Sequence, residues 1–354
     1  MSKEQQGLYD SRFEHDNCGI GFVAHLKNKK SNKIVQDALR MLERMEHRGA
    51  VGAEPNSGDG AGILIQKPHK FLVKQAKTLG FELPEFDEYG VAQIFFPNDK
   101  RKTVCVEILE KAIAKLGFDI IGYRTLPKNN SILGHSSGSV EPDMVQCYVQ
   151  RPADVDAETF ERKLFVIRNY VSHQVVEAID NGEDDFYFAT FSYKTIAYKG
   201  QLTTEQVNQY FPDLSEPDVE SALAVVHSRF STNTFPKWKL AQPFRYIAHN
   251  GEINTVRGNV NWFKSREAIF KSANFSDAEL EMILPVCDIN QSDSANLDNA
   301  VEMLALSGRS LPHVMMMLMP EAWQENPNME PHKKAFYEYH ANIMEPWDGP
   351  ASVS

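Results

Sequence analysis

Cys18 stands immediately ahead of Gly19-Ile20-Gly21-Phe22, behind a polar, charged leader of 17 residues. Removal of that leader would make Cys18 the first residue, and a terminal cysteine carries nucleophile and base together. Its α-amine, with a pKa of ~8, is partly unprotonated at neutral pH and can take the proton of the thiol or of an attacking water. The thiolate is the reactive species, and a reference pKa of ~8.5 means that modest local help suffices. The same residue would also serve as a small apolar filler before a strand. Amide hydrolysis by a cysteine needs donors for the oxyanion and a clamp for the charged end of the substrate. Asn250-Gly251 offers a side-chain amide and a backbone N–H, though Asn-Gly is also a common hairpin turn. Arg229, with hydroxyls at Ser228, Ser231 and Thr232, can grip a carboxylate through two N–H donors or form a structural ion pair. Asp293 can hold an ammonium or cap a helix.

The elements that must position these residues follow from periodicity and punctuation. Apolar runs predict strands at 19–26, 63–66, 89–96, 118–126, 144–150, 186–193, 195–198 (the last two as strands or a hairpin), 222–226 and 244–248. Helical spacing predicts helices from 34 to about 47 and over 69–78, 102–116, 157–179, 277–284, 293–306, 311–319 and 333–344, so that everything after Ile253 reads as helical. Five glycines between Gly49 and Gly62 mark tight turns or close backbone approach. A phosphate cradle is rejected there, because no Gly-Lys-Ser/Thr follows and the loop enters a strand. Met315-Met316-Met317-Leu318-Met319 reads as core filler, and the aromatics from Phe186 to Tyr193 as sheet core. Strands in groups, with helices before and after, indicate an α+β domain and no parallel βαβ array.

The 354 residues are enough for one large domain or two ordinary ones. A formal net charge of −11 argues against nucleic acid and anionic membrane as main partners. No apolar run approaches a membrane span, and the leader has no apolar core to act as a secretory signal. The four cysteines, Cys18, Cys105, Cys147 and Cys287, include no C-x-x-C pair, so no metal site is expected and a reduced, cytoplasmic protein is the default.

Together, Cys18-Gly19-Ile20-Gly21-Phe22, His47-Arg48-Gly49, Asn56 to Gly62, His227 to Thr234 and His249-Asn250-Gly251-Glu252-Ile253-Asn254 resemble class II glutamine amidotransferases. The tract 227–262, with Gln291-Ser292-Asp293-Ser294, Met319 to Gln324 and Met344 to Pro350, is similar to the glutaminase domain of glutamate synthase large subunits. The resemblance implies an N-terminal-nucleophile fold, a four-layer αββα sandwich. It implies a pro-segment at 1–17 and an amidotransferase domain over 18–354. Cys18 would be nucleophile and its amine the base; Asn250 and Gly251 would form the oxyanion hole. Arg229 would hold the α-carboxylate of glutamine, Asp293 its α-ammonium, and Arg48 would help order the site. Thiolate attack on the side-chain amide would release ammonia and leave a γ-glutamyl thioester for hydrolysis. In the full enzyme the ammonia goes to 2-oxoglutarate, with FMN and an iron–sulfur cluster in domains that this chain does not contain. The chain is expected to be incomplete at its C-terminus, with the last strands of the sandwich missing. Its partners would be L-glutamine and the remaining domains or subunits. The alternatives are an inactive or structural piece of a split subunit, and the glutaminase end of another class II amidotransferase.

Overall fold

A computed structural model describes residues 19–52, 54–229 and 235–354. Two four-stranded antiparallel sheets form its centre. The first has the order β1-β8-β2-β7, from Ile20–Ala24 (β1), Ala61–Gln66 (β2), Thr195–Gly200 (β7) and Leu223–Ser228 (β8). The second has the order β4-β5-β3-β6, from Tyr89–Phe96 (β3), Ile120–Thr125 (β4), Asp143–Gln150 (β5) and Tyr187–Ser192 (β6). A two-stranded ribbon joins His249–Gly251 (β9) to Ala351–Val353 (β10). The helices in chain order are Asn32–Arg44 (α1), His69–Thr78 (α2), Arg101–Lys115 (α3), His135–Gly138 (α4), Ala157–Ala178 (α5), Gly182–Asp185 (α6), Gln206–Tyr210 (α7), Val256–Arg266 (α8), Asp277–Ile283 (α9), Asp293–Leu306 (α10), Leu311–Leu318 (α11) and Pro331–Ala341 (α12). The fold is thus α+β with antiparallel sheets.

Period-two alternation sorts the strand residues between two cores. In β3, Tyr89, Val91 and Phe95 join a core shared with β2, β7, β8 and α1, whereas Ala92, Ile94 and Phe96 face α3 and α5. A third core gathers α8 to α11 and Trp347 against Phe165 and Val166 of α5. The methionine run contributes Met317 to that core, with Met315 packed against it. Side-chain caps start α5, which packs against two of the cores, and α10, which carries Asp293. The Asp156 carboxylate accepts from Thr159 N–H at the head of α5, and the Ser292 hydroxyl accepts from Ala295 N–H at the head of α10.

A polar bridge ties the two sheets through the shared core. Arg124 of β4 donates to both oxygens of Asp213 at 2.8 and 2.7 Å, and to Gln146 at 3.1 Å. Tyr198 of β7 donates to Asp213 at 3.1 Å. Gln146 continues to Gln93, which donates to the Ala197 carbonyl of the first sheet. Both charges are 4% exposed, so removing one leaves the other stranded in low dielectric. Arg124→Ala should therefore cost on the order of 3–5 kcal/mol of unfolding free energy, read from urea melts. A cost below about 1 kcal/mol would mean that the bridge is not desolvated.

Two expectations from sequence need correction, and one stated alternative is resolved. Residues 244–248 form no strand: Phe244 N–H turns back to Ile247 C=O, and the Asp298 carboxylate takes the N–H groups of Tyr246 and Ile247. A side chain satisfies the donors that a neighbouring strand would have paired. Of the two readings of 186–198, separate strands hold and a hairpin does not: β6 pairs with β3 and β7 with β2, in different sheets. The tail is not all helical, since β10 closes on β9.

Candidate active site

The ends of β1 and β8 set the site. Gly19 C=O accepts from Ser228 N–H at 2.7 Å, which puts the residue next to Cys18 beside Ser228-Arg229. Cys18, residues 1–17 and the Ser231-Thr232 part of the arginine tract lie outside the described residues. A Cβ built on Gly19 would sit 2.4 Å from the Ser228 carbonyl oxygen and 3.7 Å from Asn250 Oδ1. Glycine is needed for the strands to approach there, and the Asn250 side chain lies over it.

The glycine-rich loop forms the seat of Arg229. Arg229 N–H donates to Gly60 C=O, Ala50 N–H to Arg229 C=O, and Asp59 N–H to Ala50 C=O. Gly60 has φ +140°, and a Cβ there would come within 3.6 Å of Arg229 Cδ and 3.1 Å of Ala241 Cβ. Turn chemistry before a strand is thus borne out, with a close approach added. Arg48 is half-buried in the turn Glu46–Arg48; Gly49, its successor, packs on Ser228, where a Cβ would meet Oγ at 2.8 Å. Burial pulls the Arg229 guanidinium below its ordinary pKa, and the carboxylates of Asp59 and Asp293 oppose that pull. Asp59 was not singled out from sequence; its place in the Asn56–Gly62 loop carried no signal beyond turn propensity. A cavity of about 440 Å³ opens beside Arg229, lined by Glu46, Gly49, Gly60, Thr203, Gln206 and Ser228 among others.

Asn250 and Gly251 belong to β9, not to a hairpin turn. Gly251 has φ +141°, and a Cβ would lie 2.0 Å from the Pro350 carbonyl oxygen, so only glycine fits. β9 is held from several sides. Gln242 bonds both the N–H and the C=O of His249, at 2.8 and 3.0 Å. His227 Nε2–H donates to the same carbonyl at 3.0 Å. Across the ribbon, Glu252 N–H reaches Pro350 C=O and Ala248 pairs with Ser354 in both directions.

Asp293 opens α10, but Ser292 is the cap. Asp293 Oδ2 accepts from Ile253 N–H at 2.9 Å. Its Oδ1 accepts from Ser294 N–H at 2.7 Å and from Ser294 Oγ–H at 3.2 Å. Ser294 Oγ also lies 2.6 Å from His249 Nδ1. The hydroxyl has one proton and a carboxylate only accepts, so Nδ1–H of His249 donates to Ser294. Asn250 and the Ser228-Arg229 strand end thus meet at Gly19, Gly251 follows Asn250 on β9, Asp293 acts on both Arg229 and Ile253, and Arg48 precedes the Gly49 that packs on Ser228. Sequence reasoning gave no role to His249, Gln242 or Ser294, whose partners come from other elements. A larger cleft of about 1100 Å³ borders α5, α8 and the 284–291 loop, yet contains none of the five described candidate residues, so size does not locate the chemistry.

His227 makes the site acid-sensitive. Burial pushes its pKa down to about 3. The unfolded chain takes this proton near pH 6.5 and the folded chain only near 3. The stability that rests on neutral His227 is therefore complete above pH 6.5 and falls by about 1.4 kcal/mol per unit toward pH 3. Urea melts of His227→Gln should show a shallower loss of stability between those limits than the parent, by about one proton. Parallel profiles would show that His227 protonates without penalty.

The three described cysteines are buried and free. Burial raises the thiol of Cys105 to about 11 and those of Cys147 and Cys287 further. None of the three is a thiolate at neutral pH. Among the described residues no cluster of His, Cys, Asp and Glu could hold a metal ion, and no helix is long and apolar enough to cross a membrane.

The site thus sets an arginine at the end of β8 and the Asn250 side chain beside the first glycine of β1, the residue that follows Cys18 in sequence. The family model for class-II glutamine amidotransferases matches residues 18–354, and the chain belongs to that family. It is 47% identical over 353 residues to a glutamate synthase [NADPH] large chain of Bacillus subtilis. It is 45% identical over 356 residues to a glutamate synthase [NADH] of Schizosaccharomyces pombe, and 42% over 348 to a ferredoxin-dependent glutamate synthase of Antithamnion sp.. These matches take in 99, 98 and 96% of this chain but 23, 16 and 22% of the three relatives. The chain therefore corresponds to the glutamine amidotransferase portion of much longer proteins.

Proposed function

We propose that this chain hydrolyses the side-chain amide of L-glutamine through Cys18, within a four-layer αββα N-terminal-nucleophile sandwich. Loss of residues 1–17 frees the Cys18 amine, which takes the thiol proton. The thiolate attacks the amide carbon, and the oxyanion is received by the Asn250 side chain and Gly251 N–H. Arg229 grips the α-carboxylate, Asp293 the α-ammonium, and Arg48 orders the loop beside them. Collapse of the tetrahedral adduct expels ammonia, the amine supplying its proton, and water then cleaves the γ-glutamyl thioester. Further domains or subunits, carrying FMN and an iron–sulfur cluster, would use the ammonia on 2-oxoglutarate in the cytoplasm. The carrying observation is that Arg229, Asn250 and the neighbour of Cys18 converge, in a chain whose family match begins at residue 18.

Intact-mass spectrometry paired with a glutaminase assay tests this reading. An active preparation should have lost residues 1–17 and should release glutamate and ammonia in equal amounts. Full activity in a preparation that retains Met1 to Asn17 would rule out the amine as base.

A further inference from the structure

The Asp293 carboxylate touches the oxyanion segment on both sides. Directly, it accepts from Ile253 N–H, two residues after Gly251. Through the Ser294 hydroxyl it reaches the imidazole of His249, the residue before Asn250. Ser294 and His249 are 7% and 2% exposed, so neither bond is exchanged cheaply for water. His249 Nε2 is buried without a hydrogen-bond partner among the described residues. Among the described residues the Ser294 bond is therefore the one polar contact that orients this ring. His249 backbone groups are in turn saturated by Gln242 and His227, so ring and main chain are held as a unit with the Asn250 that follows.

Resting on the reading that Asp293 receives the α-ammonium and Asn250 the oxyanion, we infer that Ser294 and His249 are positioning residues that couple the two. An arriving ammonium draws on the same carboxylate oxygens that accept from Ser294 and Ile253. The pull on Ser294 is passed to His249 and so to the placement of the Asn250 amide. Recognition of the α-amino group is then expressed in turnover as well as in binding. The domain would select amino-acid amides over plain carboxamides at the chemical step.

A four-cornered kinetic cycle tests the coupling on the matured chain. It crosses parent and Ser294→Ala with L-glutamine and 4-carbamoylbutanoate, which is glutamine without its α-amino group. In the parent, loss of the amino group should lower kcat roughly tenfold beyond its effect on KM, the scale of one buried hydrogen bond. In Ser294→Ala, kcat on glutamine should fall by a similar factor, and loss of the amino group should then raise KM while leaving kcat nearly unchanged. Ser294→Thr, which keeps the hydroxyl, should restore the dependence of kcat on the amino group. A general packing defect would not produce that pattern, and thermal melts of the variants will show whether all are folded. Multiplicative losses in kcat, or an unchanged kcat in Ser294→Ala, would overturn the coupling and leave the glutaminase reading standing. A parent inactive on glutamine overturns both.

Discussion

Cys18→Ala is expected to abolish glutamate release, with kcat falling on the order of 10⁴-fold or more, as when a covalent nucleophile is removed from other hydrolases. No described thiol can substitute, because burial holds Cys105, Cys147 and Cys287 as neutral thiols. Cys18→Ser should retain a trace of activity at best, since a hydroxyl is far less acidic than a thiol. A glutamine analogue with an electrophilic γ-ketone should add once to the parent, at residue 18, and not to the alanine variant. Unchanged turnover in Cys18→Ala would remove the basis of the mechanism.

Asn250→Ala is expected to lower kcat by about 10²–10³-fold with little change in KM, because an oxyanion donor acts on charge that develops only in the transition state. Arg229→Lys should behave in the opposite sense. The guanidinium fork matches a carboxylate in two bonds, and a lysine ammonium does not. Loss of charge-assisted bonds on that scale should raise KM roughly 10- to 100-fold while kcat changes less. The contrast between the two variants is the informative result. Equal falls in kcat and no separation in KM would assign both residues to support of the fold. Gly251 offers no comparable probe, because any side chain there would strike Pro350 and break the β9–β10 ribbon as well.

Much of this domain was legible from local pattern. Alternation and helical spacing located most strands and helices to within a few residues, because burial on one face imposes a period that neighbours in sequence must obey. The candidate residues were legible in a different way. Cysteine before Gly-x-Gly, an arginine at a strand end and Asn-Gly each admitted a bland reading, and only their joint likeness to a known family separated the two. Position 244–248 shows where local reading stops. Its apolar run looks like a strand, but Asp298, fifty residues away in sequence, satisfies its donors.

The chemistry available to this chain, a cysteine with amide and guanidinium partners, is a property of residue identity and was present in the sequence. The arrangement of those groups was not. Asn250 comes over Gly19 through the β1–β8 ladder and the β9–β10 ribbon, and at the head of α10 Asp293 accepts from Ile253 while its neighbour Ser294 accepts from His249. Such contacts join residues forty or more positions apart, where no periodicity carries information. They form because buried donors and acceptors must find partners, and folding alone selects which ones.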